Sequence, residues 1–212
     1  MHILLIHQAF VSIDEAGGTR HHEMAQYLES QGHQITIITS PVSYLTGLSR
    51  SRYKKFAESD ELSPGITLIR AYAYQALHKS FFHRLINFFS FMISSFLLGV
   101  TRKDIDLVWG TTPPIFQGFT AWLIALLRRK PLLFEVRDLW PAFAVAVGVL
   151  KNKTIIQMSE WLEQFLYKRA DHVIVNSPGY IKHVTDRGAR AVSLIPNGVN
   201  PEMFLSDDLA FR

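Results

Sequence analysis

The sequence contains no cysteine. Disulfides and thiolate metal sites are therefore excluded, and a reducing compartment is permitted. The chain opens without a basic segment followed by an apolar run and a small-residue cleavage site, so it reads as lacking a secretory signal. It has no internal repeat and no low-complexity tract. No Walker sequence and no Gly-x-Ser-x-Gly elbow occurs, which argues against P-loop and serine-hydrolase chemistry. His21 and His22 are adjacent and diverge on a helix, and neither has a second histidine at i+4. No metal is assigned on that pattern, and no cofactor is expected. The basic clusters do not alternate with aromatics, which argues against a single-stranded nucleic-acid surface. One absence is local: the stretch Gln34–Thr39 runs into Ser40-Pro41-Val42 with no carboxylate to hold a ribose, and Gly-x-Gly-x-x-Gly is missing. Both argue against a dinucleotide-dependent epimerase or dehydrogenase.

What is there suits a globular α/β chain. Of 212 residues, 48% are hydrophobic and 19% charged, enough for one large or two small domains with a sizeable core. The net charge of +4 permits an anionic membrane, nucleic acid or a phosphorylated substrate as partner without choosing among them. Apolar runs at residues 2–7, 34–39, 66–72, 105–109, 132–136, 172–176 and 191–195 predict about seven strands. Helical patterns between them predict a doubly wound, Rossmann-like parallel sheet. Residues 43–64 are polar and read as a surface excursion, and 110–114 as a loop. The domain is expected to run from 1 to 205, with 206–212 a polar tail.

The organising stretch is Val11–Glu23, which follows the first apolar strand and leads into the helical pattern of Met24, Ala25, Tyr27 and Leu28. Gly17 and Gly18 can take positive φ and let a ligand approach the backbone. The first amides of the helix are unpaired and carry the positive end of the macrodipole, which favours phosphate. Arg20, His21 and His22 add donors to the same turn. The length of the loop after His7 predicts that it lines a cleft.

A second cluster is Glu135-Val-Arg-Asp-Leu-Trp-Pro141, placed by the strand pattern at a carboxyl end of the sheet, where ligands of open α/β sheets bind. A carboxylate there can accept a proton from a hydroxyl or position a sugar; an ion pair that shapes the loop explains the same residues. Trp140 reads either as a stacking wall or as core.

Residues 78–101 are too long for a strand. Ser80, His83, Arg84, Asn87, Ser90, Ser94 and Ser95 fall on one helical stripe and the rest is apolar, rich in phenylalanine. Either this is a helix buried in the sandwich or it lies in a membrane surface.

Together the residues Ala16–Ala25, Gly32-His33-x-Ile35-Thr36, Glu135–Pro141 and Ile195-Pro-Asn-Gly-Val199 resemble the amino-terminal half of a family 4 glycosyltransferase. The likeness is strongest to bacterial enzymes of capsule, O-antigen and exopolysaccharide assembly, and it spans nearly the whole chain. It implies one half of a GT-B fold and retaining transfer from a nucleotide-sugar donor without a required metal. It also implies a saccharide acceptor, often polyprenyl-linked, at the inner face of the cytoplasmic membrane. By the same resemblance Gly17, Gly18 and Thr19 face the donor diphosphate, while Arg20 and His21 contact diphosphate or acceptor. Asp138 is the expected catalytic residue, orienting the acceptor hydroxyl or the reacting sugar, and Glu135, Arg137 and Trp140 are expected to bind substrate, with Glu135 and Arg137 shaping the loop. Relatives continue Asp-Leu-Trp-Pro with an acidic and then a small hydroxyl residue, where this chain has Ala142-Phe143. The donor-binding second domain is expected to be absent from this sequence, so the chain alone is expected to be inactive. It would then be a split half or a truncated one. The competing class is a non-catalytic membrane-surface or interaction module.

Overall fold

A computed structural model describes residues 1–12, 18–43, 56–76 and 81–198. Eight strands form one sheet in the order β3-β4-β2-β1-β5-β6-β7-β8. The strands are β1 His2–Ile6, β2 Gln34–Thr39, β3 Ala57–Ser63, β4 Ile66–Ala71, β5 Leu107–Thr112, β6 Leu132–Val136, β7 His172–Val175 and β8 Val192–Leu194. All pairs are parallel except β3 with β4. The helices are α1 Arg20–Ser30, α2 Phe81–Val100, α3 Ile115–Arg128, α4 Ala142–Ala146, α5 Lys153–Arg169 and α6 Pro178–Asp186.

The central strand β1 carries Ile3, Leu4, Leu5 and Ile6, all buried, because both faces of a doubly wound sheet are covered. Its alternation divides the core. Ile3 and Leu5 join Ile35, Ile37, Leu68 and Trp109 beneath α1. Leu4 and Ile6 join Ile38, Phe91, Ile124, Leu166 and Val184 beneath α2, α3, α5 and α6.

Two sequence expectations are corrected. Residues 57–63, taken as part of a surface excursion, form β3. This strand lacks an apolar alternation because it lies at the sheet edge and is held by backbone pairing to β4, with Asp60 Oδ2 3.3 Å from Arg70 Nε. It is the strand beyond the expected seven. Residues 110–112, taken as loop, are the end of β5. Gly110 sits where an added Cβ would lie 2.6 Å from Cβ of Ala121 on α3, so the residue that looked like a turn signal is a close strand–helix approach. Gly17 and the tail 206–212 lie outside the described residues.

Most of the polar stripe of α2 is turned inward, beside the buried Phe91, while other apolar residues of the helix face out. Asn87, Ser90, Ser94 and Ser95 of its polar stripe face the protein, and Ser94 and Ser95 are buried. Ser90 Oγ accepts from Tyr74 N at 2.8 Å, and Ser94 Oγ donates to Tyr72 O at 2.6 Å. Phe82, Phe89, Ile93 and Leu97 point outward and are exposed.

Candidate functional site

Each parallel strand ends at the same edge of the sheet, and α1 begins there. Gly18 is exposed, and a Cβ built on it would meet nothing within 4 Å. Its backbone is not left-handed; positive φ occurs instead at Gly32, Gly148 and Gly188. The open approach to the helix therefore comes from the missing side chain rather than from an unusual backbone. Thr19 is the N-cap residue, and its hydroxyl donates to Glu23 Oε1 at 2.7 Å.

The next two residues turn inward. Arg20 Nε donates to Glu135 Oε1 at 2.9 Å, and His21 Nε2 lies 2.6 Å from Glu135 Oε2. Glu135, on β6, is fully buried with both oxygens occupied. Burial alone would raise its pKa, but the charges and hydrogen bonds of His21 and Arg20 prevail and hold it at about 2. Burial lowers the pKa of His21, and the carboxylate beside it opposes that shift without reversing it. The other two nitrogens of the Arg20 guanidinium donate to Pro196 O at 2.8 Å and Ile195 O at 2.7 Å. One arginine thus ties the start of α1 to β6 and to the chain leaving β8.

Behind this pair lies His7, immediately after β1, with its ring edge-on to His21 at 4.2 Å. Its pKa is well below the ordinary histidine value because of burial and the nearby His21 and Arg137. His7 Nδ1, Thr112 Oγ1 and Asn176 Oδ1 are buried and have no hydrogen-bond partner among the described residues. They end or follow β1, β5 and β7, so they belong to this one edge. Sequence reasoning passed over all three, since single residues of these types carry no motif. The only available signal was position, at the carboxyl ends of apolar strands.

The loop after β6 divides the remaining site residues. Arg137 Nε and Nη2 donate to Thr112 O at 3.3 Å and Pro113 O at 3.2 Å, which fastens this loop to the end of β5. Trp140 is half-buried and packs against the core with Leu139. Asp138 is half-buried, and its carboxylate has no hydrogen bond or ion pair to a described residue. Among the described residues after β6, Glu135 is therefore a braced carboxylate and Asp138 an uncommitted one. Among the described residues no three His, Asp or Glu side chains converge on a metal-ion position.

Residues 16–198 match the family model described as a glycosyl transferase 4-like domain. The chain is 24% identical over 178 residues to the protein named putative colanic acid biosynthesis glycosyl transferase WcaI of Escherichia coli, covering 82% of this chain and 44% of that protein. Its fold is similar to sucrose-phosphate synthase of Thermosynechococcus elongatus, with a TM-score of 0.63 at 17% identity over 95% of this chain and 49% of the other. It is also similar to Anabaena HepE in complex with UDP-glucose, with a TM-score of 0.54 at 14% identity over 96% of this chain and 46% of the other. The chain spans about half the length of these relatives. Their common architecture is GT-B, and the sheet described above is one Rossmann-like half of it.

Proposed function

Because the chain belongs to the glycosyl transferase 4-like family, we propose that it is the acceptor-side half of a retaining glycosyltransferase. In this reading a second, donor-binding domain supplies a nucleotide sugar. The sugar passes to a polyprenyl-linked saccharide in cell-surface polysaccharide synthesis, at the inner face of the cytoplasmic membrane. The resemblance to a colanic acid enzyme supports the polysaccharide role, and the UDP-glucose bound by HepE supports the donor class.

The observation that carries the reading is the pairing of two features at one sheet edge: an unobstructed helix start at Gly18-Thr19 and the uncommitted Asp138 carboxylate. A helix start takes the donor diphosphate through its free amides and dipole. Asp138 accepts a hydrogen bond from the acceptor hydroxyl or from the reacting sugar, which fixes the attacking oxygen in place. Glu135 organises rather than reacts, since its oxygens already hold Arg20 and His21. Arg20 and His21 then act on the diphosphate side by holding the first turn of α1 in place.

The test is binding followed by transfer. A short-chain polyprenyl-diphosphate saccharide should bind the purified chain, and Asp138→Asn should weaken that binding about tenfold, the loss of one hydrogen bond to a charged group. No binding by the unaltered chain would remove the acceptor assignment. The chain alone should transfer no sugar from any nucleotide sugar, and addition of a donor-binding domain should restore transfer.

A further inference from the structure

We infer that the outer face of α2, together with the end of α3, seats this protein on an anionic lipid bilayer with α2 lying flat against the surface. The inference deepens the proposed function, since a lipid-linked acceptor needs an enzyme held at its membrane.

The first observation is the orientation of the helix. A helix on a water-facing surface hides its apolar stripe and shows its polar one. Here Phe82, Phe89, Ile93 and Leu97 are 66%, 43%, 57% and 49% exposed while the serines and Asn87 are turned into the protein. Leu126 and Leu127 near the end of α3 are exposed as well, and Phe116 at its start lies with its ring 5.1 Å from that of Phe89. An exposed apolar helix face of this kind marks a partner or a membrane.

The second observation is charge, which selects the membrane. Arg102 and Lys103 are exposed at the end of α2. Arg128 Nη2 donates to Lys103 O at 3.2 Å, which brings Arg128, Arg129 and Lys130 from the end of α3 to the same rim. Arg84 is exposed in the first turn. The acids at this rim are Asp104 and Asp106, and Asp106 is engaged by the backbone N–H of His2 at 2.8 Å. Apolar rings bordered by excess cations match acidic headgroups over an acyl layer.

The third observation is how the helix is held. By length and composition α2 could cross a membrane. Its inner side, however, is fastened to the body: Gln8 Nε2 donates to Asn87 Oδ1 at 2.7 Å, and Gln8 N donates to Gln117 Oε1 at 2.7 Å. Gln117 Nε2 in turn donates to Thr111 Oγ1 at 2.8 Å and to Pro113 O at 3.0 Å. This polar chain keys α2 to the loops at the site edge, so a flat helix presents that edge beside the bilayer surface.

The experiment uses the absence of cysteine. Ile93→Cys and Tyr27→Cys, the latter on α1 across the sheet, are each labelled with an environment-sensitive dye. They are mixed with phosphatidylglycerol/phosphatidylethanolamine vesicles or with phosphatidylcholine vesicles. The expected result is flotation and a blue shift at position 93 with acidic vesicles at low salt, none at position 27, and at least tenfold weaker binding to phosphatidylcholine. The variant Phe82→Ser/Ile93→Ser/Leu97→Ser, which spares the Phe89–Phe116 contact, should stay folded by thermal unfolding and lose binding at least tenfold. Failure of unaltered protein to float overturns the inference. So does a blue shift at 27 equal to that at 93, or a concentration-dependent dimer that the triple variant abolishes, which would give the face to a second copy. These vesicles contain no saccharide acceptor. A negative flotation result therefore leaves the transferase reading standing, and a protein that floats but never binds acceptor fails only on that reading.

Discussion

His21 Nε2 and Glu135 Oε2 lie 2.6 Å apart, both buried, one from the first turn of α1 and the other from β6. Arg20 completes the group from the opposite carboxylate oxygen. Between α1 and β6 lie β1 and β5, so this contact braces the sheet's carboxyl edge across several strands.

The brace gives a prediction in acid. Glu135 titrates at about 2 in the folded protein against 4.5 ordinarily. A depressed carboxylate stabilises the fold fully above its ordinary pKa, and that stability is lost as pH falls toward the folded value. Linkage makes the contribution about 3 kcal/mol. Denaturant titrations of Glu135→Gln should show a loss of that order at neutral pH. The gap to the unaltered protein should close between about pH 4.5 and about pH 2.

The fold was legible because periodicity is a property of the chain itself. Ile3–Ile6 is a continuous apolar run, Leu132–Val136 is apolar except for Glu135, and Gln34–Thr39 carries three isoleucines, and central parallel strands are rich in such residues. β3 was not legible, because an edge strand held by its backbone carries no apolar signature. At the site, Glu135 and Arg20 were legible as polar residues in a strategic place. That they grip each other was not, since they stand 115 positions apart. Which side of α2 faces the sheet was equally hidden. A stripe in sequence fixes which residues share a face, and only the tertiary contacts of Asn87 and Ser94 decide which way it points.

Histidine burial predicts sensitivity at milder pH. His7 and His21 both have pKa values below 6.5 in the fold, so the folded protein binds fewer protons than the unfolded chain. Stability is then complete above about 6.5 and declines as pH falls below it, by up to about 1.4 kcal/mol per pH unit for each group. His7→Asn should reduce the drop in melting temperature between about pH 7 and about pH 5.5. An unchanged drop would mean that His7 does not resist protonation.

The chain leaving β8 is held by Arg20 through two carbonyls. Arg20→Lys keeps the charge but loses the planar fork that reaches Glu135, Ile195 and Pro196 together. Amide exchange at Ile195, whose N–H donates to Val175 O at 2.9 Å, should accelerate at least tenfold, about 1.4 kcal/mol. Exchange in β1 should stay the same. Equal protection at Ile195 would show that β8 holds its end without Arg20.

Close packing of α3 on the sheet is testable at Gly118. An added Cβ would lie 2.5 Å from Phe134 Cε2 and 3.0 Å from Leu166 Cδ1, and both side chains are fully buried. Alanine favours a helix over glycine by about 1 kcal/mol. Overpacking against a trapped ring costs about 1–3 kcal/mol. Gly118→Ala should therefore be neutral to about 2 kcal/mol less stable by thermal unfolding, and a clear gain in stability would contradict the packing.

Gly18 offers the opposite case, and it separates fold from function. A Cβ there meets nothing within 4 Å, and the residue needs no left-handed backbone. Gly18→Val should therefore change stability by no more than about 0.5 kcal/mol, as for an ordinary surface position. Its side chain would nevertheless stand in front of the first amides of α1, where the proposed function places the donor diphosphate. In a two-domain enzyme assembled with a donor-binding half, kcat/KM for the nucleotide sugar should fall at least tenfold. Gly18→Ala, with a smaller obstruction, should fall less. If both variants transfer sugar at the unaltered rate while remaining folded, the donor diphosphate does not approach α1 at Gly18.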